Sequence, residues 1–232
     1  MSKHGLSAPE RTTTTDQARE AILRAILDGR IPSGSPLRLQ QLADDLGMSM
    51  MPIREAIRHL EATGIIEVER HRGARVRPLS DDDLADTYFT RIMLEGTLVR
   101  QAAFSVDDTV ASDAMQALDA QQLALQLGDR TAARIAHEKF HFTIYRAADL
   151  SWLMRSIGPT WQNSERYRAH ALADEAGVAV RRTEHESILA ACVARDPDRA
   201  VHALQEHLLA TVQGIDPAIA DRIRERLAVH GR

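Results

Sequence analysis

The stretch IAHEKFHFTIY, residues 135–145, places His137 and His141 four positions apart, with Glu138 directly after the first. Two histidines so spaced on a helix project from one face and can share a metal ion. The five letters HEKFH also satisfy the zinc-peptidase pattern H-E-x-x-H, in which the glutamate activates a metal-bound water. His185 and His207 each lie 11 residues from Asp196, which sits in the break between two helical stretches. At the helical rise, each imidazole stands about 16 Å from that turn. Antiparallel packing across so short a connection brings the two rings to one height. His137, His141, His185 and His207 can therefore meet as a four-histidine metal site inside a helical bundle, although each taken singly reads as an ordinary surface or core residue. The peptidase reading lacks its third ligand: HFTIYRA follows where the extension H-x-x-G-x-x-H would stand, and nothing around the downstream Glu165 resembles the usual helix. A zinc hydrolase of the HExxH type stays open as an alternative. No nucleophile, cofactor-binding glycine loop or paired-carboxylate signature accompanies the histidines, so the chain is expected not to be an enzyme.

The elements that must position these residues are helical. Ala and Leu dominate the apolar positions of a 232-residue chain that is 44% hydrophobic and only 4% aromatic, a balance that favours helix. One cysteine, Cys192, excludes an internal disulfide and fits a reducing compartment. No apolar run suits a signal peptide or a bilayer span, so a cytoplasmic protein without membrane contact is expected. The net charge of −4 divides unevenly: residues 1–78 carry 12 Lys/Arg against 10 Asp/Glu, and residues 79–232 carry 17 against 23. That asymmetry permits a nucleic-acid-binding N-terminal part without proving one.

Residues 1–15 are polar and aperiodic and read as a disordered arm. A helix starts with Asp16 as N-cap and ends at Gly29; IPSGSP, residues 31–36, reads as a loop. A second helix runs from Leu39 to Gly47. Ser49 caps a third, which tolerates Pro52 in its first turn and closes at Gly64. Ile66, Val68, Ala74 and Val76 then alternate around a His-Arg-Gly turn as a β-hairpin. Three helices and a hairpin over 16–78 make a winged helix-turn-helix. Residues 79–83 read as a linker. Helices follow at 82–104, 107–127, 129–148, 150–157, 159–173, 178–195 and 198–213, with 214–232 a tail that includes a weak amphipathic piece. The expected fold is thus mainly α, an N-terminal winged helix-turn-helix before an all-α antiparallel bundle over 84–213.

In the third helix Ile53, Ala56, Ile57 and Leu60 form an inward stripe, while Arg54 and Arg58 lie four apart on another face and Ser49 stands at its start. Arginine reads guanine bidentately in the major groove. A solvated charged face is the plain alternative, but Arg70, His71, Arg72, Arg75 and Arg77 gather around Gly73 in the hairpin, where a small tip can approach the minor groove. Double-stranded DNA is therefore the expected partner.

The run AILDGRIPSGSPLRLQQLADDLGMSMMPIREAIRHLEATGIIEVERHRGARV resembles the N-terminal domain of GntR-family bacterial transcription regulators over residues 16–78. The resemblance carries DNA contacts to Ser49, Arg54, Arg58, His71, Arg72 and Gly73, and less directly to Gln40. It also marks a departure, since Met50 stands where the family commonly has Arg. RIMLE, HEKFH, HESILAA and DPDRAVHALQEHLL are similar to the signatures of the FCD ligand-binding domain of the FadR subfamily, over 84–213. That likeness implies a homodimeric, ligand-responsive regulator of a palindromic operator, a repressor in its simplest form. Its divalent metal would sit on His137, His141, His185 and His207, and its effector would be a small organic acid. His137 stands where the family usually has Asp; the change removes a negative charge and points to Zn²⁺ or Ni²⁺, with four- and three-histidine sites both open. Arg91, which opens RIMLE, is the expected anion partner, its pairing with Glu95 being the alternative; Asn163 and Arg166 are further pocket residues. A DNA-binding regulator whose metal is purely structural is the remaining reading.

Overall fold

The computed structural model describes residues 13–69, 73–171 and 176–230. The chain divides into two compact units, one through Pro78 and one from Leu79. In the first, α1 (Thr14–Leu27), α2 (Leu39–Leu46) and α3 (Met50–Ala62) surround a core of Ile22, Ile53, Leu60, Ile65, Ile66 and Val76. α1 begins earlier than its apolar periodicity suggests. Thr13, not Asp16, is the N-cap, and the two close a reciprocal capping box in which the Thr13 hydroxyl accepts from the Asp16 N–H while the Asp16 carboxylate accepts from the Thr13 N–H. The expected arm over 1–15 thus loses Thr14 and Thr15 to the helix; residues 1–12 lie outside the described residues. Gly47 ends α2 at φ +61°, a left-handed conformation that a residue with a Cβ resists. Ser49 occupies the N-cap position of α3 but its hydroxyl makes no capping bond, so the start of this helix rests on packing of its apolar stripe.

The hairpin is present as β2 (Ile66–Glu69) and β3 (Gly73–Val76), antiparallel, with Ile66 opposite Val76. Val68 departs from the expected alternation and is exposed. The loop expected at 31–36 ends in a strand, β1 (Pro36–Leu37), which pairs antiparallel with β3 to give the order β1-β3-β2. Proline is tolerated there because an edge position asks for no further donor.

The second unit is all helix: α4 (Asp81–Ala102), α5 (Asp108–Gln126), α6 (Arg130–Arg146), α7 (Ser151–Ala171), α8 (Ala176–Val193), α9 (Pro197–Gln213) and α10 (Pro217–His230). Ser80, Asp107, Asp129 and Asp196 each accept a backbone N–H three residues on, so four of these helices start where a cap residue dictates. The acidic run 81–83 belongs to the first turn of α4, where it meets the positive end of the helix dipole, and is not a linker. The two helices expected at 150–157 and 159–173 are one. Pro159 offers no N–H to the turn before it, yet Ile157 and Trp161 on either side are buried, and their packing holds the halves in line.

The C-terminal piece is no loose tail. α10 packs on α4 and α9, with Ile219, Ala220 and Ile223 in the core and the Arg226 guanidinium 3.9 Å from the centre of the Phe89 ring. Ile223→Ala is accordingly expected to cost about 2–5 kcal/mol in urea unfolding. A change below about 0.5 kcal/mol, the size of a surface substitution, would show α10 to be dispensable.

Candidate metal centre and nucleic-acid interface

The four histidines converge. α6 supplies His137 and His141 from consecutive turns, α8 supplies His185 and α9 supplies His207; one ring nitrogen from each lies within 4.8 Å of all the others. His141 Nε2 is 3.2 Å from His137 Nε2 and 3.1 Å from His185 Nε2. The rings of His185 and His207 stand 4.3 Å apart, at the common height their equal distance from Asp196 requires. All four residues are 3% exposed or less. Glu138, one residue on from His137, is about 100° around the helix and is not among the clustered groups.

Burial is the first reason that each imidazole stays neutral. It pushes all four pKa values down, His207 to about 3, and the Arg168 charge adds to the effect at each ring. Neutral imidazoles are the form that binds a metal. A tetrahedral cation about 2.1 Å from each donor sets nitrogen–nitrogen separations of about 3.4 Å; the two contacts at His141 Nε2, 3.2 and 3.1 Å, lie near that value, and the whole cluster spans no more than 4.8 Å. The donor set fits a borderline divalent ion such as Zn²⁺ or Ni²⁺.

Groups behind the rings orient them. The Tyr145 hydroxyl donates to Glu95 (2.7 Å) and lies 3.1 Å from His141 Nδ1. Its one proton is spent on Glu95, and burial together with that carboxylate holds the phenol well above its usual pKa. It therefore accepts from His141, which leaves Nε2 with its lone pair facing the cluster. His207 Nδ1 is 2.8 Å from the Glu184 carboxylate, fixing the same tautomer there. Glu95 is held in turn by Arg91, through Nε at 2.6 Å and Nη2 at 3.1 Å. Burial alone would lower the Arg91 pKa; the Glu95 carboxylate holds it above its ordinary value. On the fourth ring, His137 Nδ1 lies 2.8 Å from Arg168 Nη1, and Arg168 pairs with Glu165.

The residues expected to meet an anionic effector are engaged with other side chains of the bundle. Arg91 is spent on Glu95, donates to the Ser164 hydroxyl at 2.9 Å, and lies over the Trp161 ring. Asn163 donates to Asp83 and Thr87 and accepts from Arg166. The structure thus brings the four histidines together, gives Arg91 and Asn163 to bonds between α4 and α7, and sets Arg166 on Asn163 within α7. Sequence reasoning missed Tyr145, Glu184, Glu165 and Arg168. Only Tyr145 left a trace, at the spacing that stacks it beyond His141 on α6.

In the first unit Ile53, Ala56, Ile57 and Leu60 are buried as expected, and Arg54 and Arg58 are exposed on the outer face of α3 with Ser49 at its start. Arg58 pairs with Glu55 at 3.0 Å, and Gln40 donates to Asp44. Gly73 opens β3 at φ +83°. Arg75 is tied to both Glu67 and Glu69, which reduces the positive charge of the hairpin. His71 and Arg72 lie outside the described residues.

Two family models match: bacterial regulatory proteins of the gntR family over residues 14–76, and the FCD domain over residues 86–210. The probable D-xylose utilization operon transcriptional repressor of Paenarthrobacter nicotinovorans is 33% identical, over 90% of this chain and 95% of that protein. The HTH-type transcriptional repressor GlaR of Escherichia coli K12 is 25% identical, over 84% of this chain and 92% of that protein. Among solved structures, E. coli McbR/YncC superposes with a TM-score of 0.77 at 21% identity, covering 91% of this chain and 99% of that one, a likeness of fold. No helix among the described residues is long and apolar enough to cross a membrane. Winged helix-turn-helix, helical bundle and relatives agree: the chain belongs to the GntR family of bacterial transcription regulators, in the FadR-like branch that carries an FCD domain, and not to a family of enzymes.

Proposed function

We propose that this regulator represses transcription as a homodimer on a palindromic operator and answers to a small organic acid bound at a histidine-held divalent metal. The observation that carries the reading is the buried cluster of neutral imidazoles, two of them aimed by Tyr145 and Glu184. His141, His185 and His207 hold the ion, with His137 facing the same space. The ion, Zn²⁺ or Ni²⁺, supplies a Lewis-acid position for a carboxylate oxygen. Three of the five Arg91 N–H donors go to Glu95 and Ser164, and in this reading the metal, not Arg91, is the main anchor of the effector. Arg54, Arg58 and Ser49 meet the major groove from α3, Gln40 at the start of α2 adds a lesser DNA contact, and the hairpin around Gly73 approaches the minor groove. Two such helices fit half-sites about 34 Å apart. The two relatives named above are called repressors, which supports repression here.

An effector acts only through different affinities for operator-competent and incompetent states. Titrating aliphatic hydroxy- and dicarboxylic acids into metal-loaded protein should weaken operator binding at least fivefold for one of them, the lower end of ordinary coupling. The same acid should do nothing to metal-stripped protein. A metal-loaded protein whose operator affinity ignores every acid would instead assign the ion a structural role.

A further inference from the structure

His137 differs from His141 and His207 in what stands behind it. His141 has a hydroxyl that accepts its Nδ1 proton, and His207 has a carboxylate. His137 has Arg168, whose Nη1 is 2.8 Å from its Nδ1. A guanidinium only donates and does not lose its proton in a protein. Nδ1 of His137 is therefore an acceptor, and the ring proton of the neutral imidazole must sit on Nε2. That nitrogen is the one 3.2 Å from His141 Nε2, which the Tyr145–Glu95 chain has left with a lone pair. One proton lies between two ring nitrogens, and both neighbours assign it to His137.

We infer that Arg168 is a positioning residue that locks His137 as a hydrogen-bond donor, so that the centre is a three-histidine site of His141, His185 and His207 with an N–H beside it. The inference rests on the metal reading above for the identity of the site, but the proton assignment stands without it. Two further features keep the ring in place. His137 stacks on Trp161, with centroids 5.4 Å apart and planes 24° from parallel, which fixes the plane of the ring, while the Arg168 contact fixes which edge faces the cluster. Arg168 is itself held by Glu165, half-sunk in the fold and not free to swing away. Ligation through His137 Nε2 would require a proton on Nδ1 pointing at the guanidinium, and would set a cation on each side of one imidazole. An aspartate at position 137 would pair with Arg168 and ligate at the same time; a histidine can do only one. The N–H so presented suits an oxygen acceptor on whatever fills the open metal position, which makes His137 a specificity residue.

The test uses the full chain and Co²⁺ as the probe. X-ray absorption of the Co²⁺-loaded wild type should count three imidazoles, and four would overturn the inference. Arg168→Leu should release His137 to ligate, raising the count to four and tightening Co²⁺ binding on the order of tenfold, the scale on which outer-shell partners tune metal affinity. Arg168→Lys, which keeps a donor-only cation, should retain three. An unchanged count and affinity in Arg168→Leu would contradict the lock. Long-range proton–nitrogen correlation NMR on metal-free wild type decides the proton assignment without any variant: a proton on His137 Nε2 supports it, and one on Nδ1 overturns it. If Co²⁺ does not bind the wild type at all, the metal reading falls while the NMR result still decides the role of Arg168.

Discussion

Glu95→Ala is expected to destabilise the helical unit by about 3–5 kcal/mol, the cost of stripping a buried ion pair of one partner. Arg91 and Glu95 are 2% and 0% exposed, one helical turn apart on α4, and joined by two hydrogen bonds. Removing the carboxylate leaves the guanidinium with the neutral Ser164 hydroxyl and the Trp161 and Tyr88 rings, and leaves the Tyr145 proton without an acceptor. Glu95→Gln keeps one acceptor but no charge and should fall between. The double replacement Arg91→Met with Glu95→Leu removes both charges and should recover most of the loss. Urea unfolding followed by circular dichroism measures all three. A Glu95→Ala cost under about 1 kcal/mol would mean that water reaches the pair and that RIMLE is not a buried anchor.

The second large effect is expected at His141. His141→Ala removes a donor and leaves Tyr145 without a ring to orient, so metal affinity should fall by more than the 10–100-fold typical of outer-shell changes. Stability separates this from simple damage. Metal at a thousandfold its Kd stabilises the folded wild type by about 4 kcal/mol through mass action. Wild type should therefore show a large metal-dependent rise in Tm, and His141→Ala should show almost none even where its metal-free Tm is also lowered. An equal metal-dependent rise in both proteins would remove His141 from the site.

Much of this was legible in the sequence because local rules and tertiary packing agree. The caps at Ser80, Asp107, Asp129 and Asp196 sit at or next to breaks visible in the letters. The meeting of His185 with His207 follows from equal counts on either side of one turn. Where the reading failed, packing overrode a local signal. Gly158-Pro159 looks like a stop, yet buried neighbours carry α7 through it. PSGSPL looks like a loop, yet β3 offers Pro36 and Leu37 a partner. The groups that tune the histidines were illegible for another reason. Glu184 reaches His207 from the preceding helix, and Arg168 reaches His137 across the bundle. No spacing rule links residues on different helices unless a turn fixes their register. Arg91 and Glu95 were visible as a motif, but only the fold shows the pair spent on each other and on Tyr145.

If the histidine cluster is a metal centre, the metal content of the protein must follow the histidines. Plasma mass spectrometry of protein that has been stripped, reloaded with Zn²⁺ or Ni²⁺ and dialysed should find one divalent ion per chain in wild type and essentially none in His185→Ala with His207→Ala. A wild-type protein that retains no ion, or a double variant that retains as much as wild type, would contradict the account.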